Sequence, residues 1–170
     1  MLVFKQIFTY EGIEMKNKNY FPMFIDLSDK NVLVVGGGKI AYRRILALLQ
    51  FTRNINVVTA QPGPEIQELS KLGQIRLQVR NVKRSDLAEA YLVIAATMDH
   101  KLNDDIYRAC KEQGIYVNVF SDREKCDFYF PGVYVQDDIT VGITVNGLDQ
   151  EKAKRISTAI KQALKTAMEE

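Results

Sequence analysis

The residues with the clearest chemical use are three small ones, Gly36, Gly38 and Ala41, in the run Asn31-Val32-Leu33-Val34-Val35-Gly36-Gly37-Gly38-Lys39-Ile40-Ala41. Their Gly-x-Gly-x-x-Ala spacing suits a turn wrapped around a phosphate. Gly36 lets the chain turn sharply, Gly38 leaves room for a pyrophosphate, and Ala41 lets a helix pack close to a strand. A helix that begins at such a turn points its unpaired N–H groups at phosphate oxygens. Glycine-rich turns also occur as plain turns. Here the turn lies between a continuous apolar strand and an amphipathic helix, which predicts a bound dinucleotide.

A second set of reactive groups follows a later apolar run. Ser121 leads the carboxylates Asp122, Glu124 and Asp127. A hydride transfer from a carbon acid also needs a base for the accompanying proton, and a carboxylate beside an apolar ligand has a raised pKa suited to that task. A solvated acidic loop is the competing reading. Thr97, at the end of another apolar run, is placed to contact the nicotinamide side of a dinucleotide. The single histidine, His100, falls in the loop Thr97-Met98-Asp99-His100-Lys101 and needs no chemical role. One histidine also excludes a His-rich metal site, and no residue is assigned as a metal ligand.

The acidic residue expected about 20 residues after the glycines is missing. Thr59, Ala60 and Gln61 stand there, with no arginine in its place. The adenine ribose is then read by backbone groups or by Gln61, and this chemistry leaves NAD and NADP both open.

The elements that must hold these groups alternate. Asn31 to Val35 reads as a first strand, followed by Ile40, Ile45, Leu48 and Leu49 at helical spacing. Ile55 to Thr59 reads as a second strand, and Gln61-Pro62-Gly63-Pro64 as the turn into a helix over Glu65 to Lys71. Ile75 to Val79 alternates with period two, as an edge strand does. Tyr91 to Ala96 is another buried strand, Asn103 to Gln113 a helix stopped by Gly114, and Tyr116 to Phe120 a fifth strand. This alternation requires a parallel sheet with right-handed crossovers and ligands beyond its carboxyl edge. Past Pro131 the pattern changes to a hairpin, with strands before and after Asp137-Asp138. A final amphipathic helix, Glu151 to Met168, aligns Ala153, Ile156, Ile160, Ala163, Leu164 and Ala167, with Asp149 as its N-cap.

The expected fold is therefore α/β, a Rossmann-like parallel sheet with a small C-terminal β-hairpin and helix serving as a dimerisation element. Residues 1–18 are expected as a flexible tail, 19–130 as the dinucleotide domain and 131–170 as the appended element. Met15, directly before the first ordered-looking segment, is a candidate natural start. Tyr20 to Leu27 is expected to lie extended beside the sheet.

Composition narrows the partners. In 170 residues, 46% of them hydrophobic, there is material for one real core. A net charge of +2 from 23 basic and 21 acidic residues gives no basic face for nucleic acid or an anionic membrane. The cysteines, Cys110 and Cys126, form no Cys-x-x-Cys pair, which fits reduced thiols in the cytoplasm.

In order along the chain, Tyr20 to Leu27, Val34 to Ala41, Ala95-Ala96-Thr97 with Asn103, and Asn118-Val119 before Cys126-Asp127-Phe128 and Pro131 form a combined pattern. In it the chain resembles the precorrin-2 dehydrogenase family, the N-terminal region of siroheme synthases, whose members often also act as sirohydrochlorin ferrochelatases. The resemblance implies NAD as cofactor, precorrin-2 as tetrapyrrole substrate, ferrous iron as substrate of any chelatase step, and a homodimer. Carried over, the cofactor contacts fall on Gly36, Gly38, Lys39, Ile40, Ala60, Gln61 and Thr97. The family's general-base aspartate falls on Ser121, with Asp122 one step later. Either Asp122 takes the catalytic role with Ser121 as a substrate contact, or the chain is a weakened dinucleotide- or tetrapyrrole-binding protein that needs a partner or serves regulation. The family's Ser- and Gly-rich turn is replaced by Thr144 to Asp149, and the small helical domain that follows in typical members has no counterpart in this sequence.

Overall fold

The computed structural model describes residues 21–144 and 150–168. Its main body is a five-stranded parallel sheet made of β1 (Val32–Val35), β2 (Ile55–Thr59), β3 (Arg76–Val79), β4 (Leu92–Ala95) and β5 (Tyr116–Val119). The crossovers are helices α1 (Lys39–Leu48), α2 (Pro64–Lys71) and α3 (His100–Gln113), with a 3-10 turn at Arg84–Leu87 between β3 and β4. The Rossmann-like expectation holds. A two-stranded antiparallel sheet, β6 (Gly132–Gln136) and β7 (Ile139–Ile143), and helix α4 (Gln150–Met168) follow.

The strands run β3-β2-β1-β4-β5. After β3 the chain returns past β2 and β1 to lay β4 on the other side, so the order reverses between β1 and β4. A crevice opens outside the carboxyl ends at such a switch point. The central strand β1 is buried on both faces along its whole length, which is why its sequence is continuously apolar. One face, through Val32, Val34 and Val57, packs on Ala41, Ile45 and Leu48 of α1 and on Ile66 and Leu69 of α2. The other, through Val35, Val93 and Val117, packs on Ile106, Ala109 and Cys110 of α3. Each large aliphatic side chain removed from water in this way contributes roughly 1.5–3 kcal/mol. β3 is the more exposed edge strand.

Several local expectations shift. Helix α3 starts three residues before Asn103 because Asp99 caps it, its carboxylate accepting the Leu102 N–H at 3.0 Å. His100 and Lys101 are thus helical, and the loop shrinks to Thr97, Met98 and Asp99. Gly114, at φ 69°, ends that helix as expected. The segment before β1 does not lie on the sheet: Phe21, Met23 and Phe24 project into solvent, and only Leu27 packs against the core. Tyr20, the tail over 1–18, the Met15 start, Val145 and the Asp149 cap fall outside the described residues.

Cys110 is fully buried on the inner face of α3, and burial pushes its thiol up to about 11. The thiolate is the reactive form, and about a thousandth of it exists at pH 8. Iodoacetamide at pH 8 is therefore expected to leave Cys110 unmodified in the native protein and to modify it in urea, as read by peptide mass spectrometry.

Candidate functional site

The glycine turn is built by close backbone approaches. Gly36 has φ +135°, and a Cβ there would lie 2.4 Å from the Ala96 carbonyl oxygen at the end of β4. A Cβ on Gly37 would lie 2.1 Å from the Gln61 carbonyl oxygen, and the Gly63 N–H donates to the Gly37 carbonyl at 2.8 Å. The turn is therefore clamped between the ends of β2 and β4. Spacing alone leaves the middle glycine free, so sequence reasoning missed that Gly37 is sterically required.

Gly38 differs from both. A Cβ there would meet nothing within 4 Å. It is the N-cap of α1 with no side-chain cap bond, and the first turn of the helix carries no acidic residue. The Tyr42 N–H donates to the Gly38 carbonyl at 3.1 Å, so the N–H groups of Lys39, Ile40 and Ala41 precede the first helical bond. Open space in front of free donors at the positive end of a helix fits a pyrophosphate. Ala60 and Gln61 sit exposed just past β2, and Thr97 is half-exposed just past β4. All seven residues assigned to the cofactor thus lie along the carboxyl edge of β1, β2 and β4.

Ser121 and Asp122 follow β5 on the same edge. Ser121 is tied to Thr97 through the side chain of Asn103, which has no exposed surface. An asparagine in register with Ile106 and Cys110 on the apolar face of α3 was the available signal for this role. Large apolar side chains stand beside the pair: Met98 is 87% exposed and Phe120 is 43% exposed.

The carboxylates depart from expectation. Asp122 accepts from the Lys125 ammonium at 3.1 Å and from the Glu124 N–H at 3.0 Å. The Lys125 hydrogen bond, aided by those backbone donors, holds its carboxyl below the ordinary value, not above it. Lys125 also pairs with Asp104 at 2.6 Å. Asp127 bonds Lys111 at 2.7 Å and the Val117 N–H at 3.1 Å, which fastens the loop to β5 and α3. Asp99 is occupied as a helix cap. The loop is thus anchored mainly by charge pairs across elements. Arg44 of α1 adds to this by stacking its guanidinium 4.2 Å from the centre of the Phe130 ring, where burial lowers its pKa.

A strand-order reversal between β1 and β4, a glycine turn open at Gly38 and a helix N-terminus without a side-chain cap together define a Rossmann-type dinucleotide-binding domain. Residues 23–132 match a family model described as "Putative NAD(P)-binding", and the chain belongs to that family. It is 39% identical over 143 residues to a "Probable multifunctional siroheme biosynthesis protein HemA" of Ruminiclostridium josui, covering 84% of this chain and 28% of that protein. It is 36% identical over 129 residues to a "Siroheme synthase" of Buchnera aphidicola subsp. Acyrthosiphon pisum, covering 76% and 27%. The chain therefore spans little more than a quarter of the length of these relatives. Among solved structures, "SirC, precorrin-2 dehydrogenase" superposes with a TM-score of 0.75 at 28% identity, over 85% of this chain and 70% of that one. A nicotinamide dinucleotide is the cofactor class that this family and site support.

Proposed function

We propose that this chain oxidises precorrin-2 to sirohydrochlorin with NAD in siroheme formation. The observation that carries the reading is the likeness to SirC over 85% of the chain, with the open glycine turn at the carboxyl edge of this chain's sheet. Bound there, the cofactor would accept a hydride from the substrate at its nicotinamide ring. Gly36 and Gly37 shape the turn, and Gly38, Lys39 and Ile40 receive the pyrophosphate. Ala60 and Gln61 border the adenosine, and Thr97 borders the nicotinamide. Met98 and Phe120 offer an apolar surface to the flat tetrapyrrole. Asp122, ionised at neutral pH, takes the proton that accompanies the hydride.

NAD is favoured over NADP by the fate of Arg80. Its backbone N–H donates to the Thr59 carbonyl at the end of β2 at 3.0 Å. Its guanidinium is occupied by both oxygens of Asp86, at 2.7 Å each, and by Gln78. Arg80 is therefore already paired and does not offer a free guanidinium to a 2′-phosphate.

Ferrous iron enters only as the substrate of a chelatase step. Among the described residues no group of three or more His, Cys, Asp or Glu could hold a metal ion, so the proposal rests on the dehydrogenase step. Cytoplasmic location is part of the proposal. It is supported by two free cysteines.

Anaerobic incubation of the protein with precorrin-2 and NAD is expected to produce NADH and sirohydrochlorin together, followed by absorbance. No NADH at stoichiometric protein would remove the assignment. A homodimer also belongs to this reading. Ile139, Val141 and Ile143 of β7 and Ile156 and Ile160 of α4 are only half-buried within one chain, which suits a shared apolar face. Light scattering at micromolar concentration is expected to give twice the chain mass. One observation favours a second reading, a weakened binding protein: serine holds the family's base position while the neighbouring carboxylate is paired with Lys125. That reading predicts tight NAD binding without turnover.

A further inference from the structure

We infer that Asn103 is the positioning residue of this site, and that it fixes Ser121 as a hydrogen-bond donor to a carbonyl or carboxylate oxygen of the bound ligand. The inference rests on the dinucleotide and tetrapyrrole reading given above. The orientation of the Asn103 amide is set by the backbone of a single residue. Its Oδ1 faces the Thr97 N–H at 3.4 Å, and its Nδ2 donates to the Thr97 carbonyl at 3.0 Å. Flipping the amide would set donor against donor and acceptor against acceptor inside a buried pocket, which costs the desolvation of each group. The Thr97 hydroxyl adds a 2.7 Å bond to Oδ1.

One amide proton is left, and it points to Ser121 Oγ at 3.3 Å. Ser121 thus receives a hydrogen bond from a group that can only donate. Its own proton has no acceptor among the described residues, and the side chain is exposed on the carboxyl edge. A hydroxyl held this way presents its proton outward. It cannot remove a proton from a carbon acid at neutral pH, but it can donate to a carbonyl or carboxylate oxygen. Two such acceptors belong to the proposed complex: the carboxamide oxygen of the nicotinamide and a carboxylate of the tetrapyrrole. Asn103 also holds Thr97 and Ser121 in one rigid frame, so the contact on β4 and the contact on β5 keep a fixed separation.

The test uses the full chain, with NAD and sirohydrochlorin titrated separately by calorimetry. Ser121→Ala is expected to weaken one of the two about tenfold, the scale of a hydrogen bond to a charged or strongly polar group. Ser121→Thr, which keeps the hydroxyl, is expected to stay within about twofold of wild type. Loss confined to NAD identifies the carboxamide, and loss confined to sirohydrochlorin identifies a substrate carboxylate. Asn103→Ala, or Asn103→Gln if the alanine variant does not fold, is expected to weaken the same ligand, and to do so much less when Ser121 is already alanine. Equal affinity of Ser121→Ala and wild type for both probes would overturn the inference. So would an Asn103 penalty that is the same with and without the serine. Binding effects as expected in a wild-type protein that does not turn over precorrin-2 would instead remove the dehydrogenase assignment and leave the donor role standing.

Discussion

Gly38→Asp is expected to weaken NAD binding at least tenfold while leaving the protein folded and slightly more stable. The backbone at Gly38, φ −92° and ψ −175°, is extended and open to any residue, and a Cβ there meets nothing within 4 Å. Aspartate is a preferred N-cap, and α1 has no side-chain cap, so the variant gains a few tenths of a kcal/mol, roughly 0.3. The same carboxylate takes up the helix N–H groups that the pyrophosphate needs and sets a negative charge against it. A tenfold loss corresponds to about 1.4 kcal/mol. Calorimetry and thermal unfolding on one sample separate the two effects. Unchanged affinity in a folded variant would show that the turn does not receive the cofactor. Gly37→Ala behaves in the opposite way. Its methyl would meet the Gln61 carbonyl at 2.1 Å, so lost stability precedes any loss of binding.

Asp122→Asn is expected to keep NAD affinity and to cut precorrin-2 turnover by roughly 10²-fold, the usual scale for losing a general base. The sign of the pH dependence follows from the bond to Lys125. A carboxyl held below its ordinary value remains ionised as pH falls through the usual range near about 4. The base form is then present throughout pH 5–8, and turnover is expected to show no acid limb there due to this group. The stability that Asp122 draws from Lys125 is likewise present above that range and is lost as pH drops below it. Ser121→Asp is expected to raise turnover, because the Asn103 amide already aims a donor at that position and would orient a carboxylate as it orients the hydroxyl. Turnover that ignores Asp122→Asn would place proton removal elsewhere, with Asp99 and Asp127 the next carboxylates to test, although they serve as a helix cap and a loop fastening.

The sequence by itself determined the elements whose signal is local. Continuous apolar runs marked β1 and β4 because both faces of those strands are covered, and period-two alternation marked the exposed edge β3. Glycine spacing located the tight turn after β1 because the backbone freedom at Gly36 and the open space at Gly38 belong to those residues themselves. Contacts between distant segments were decided only by the folded chain. The boundary of α3 moved to His100 through a cap bond to Asp99, and the segment before β1 proved exposed at Phe21, Met23 and Phe24. The carboxylate loop was legible as charge but not as chemistry. Lys111 and Lys125 come from different elements to pair with Asp127 and Asp104, and the pairing with Lys125 reverses the direction expected for the Asp122 pKa. Asn103 shows the same division. Its place on the helix is written in the periodicity, whereas its bonds to Thr97 and Ser121 exist only because β4 and β5 lie side by side in the sheet.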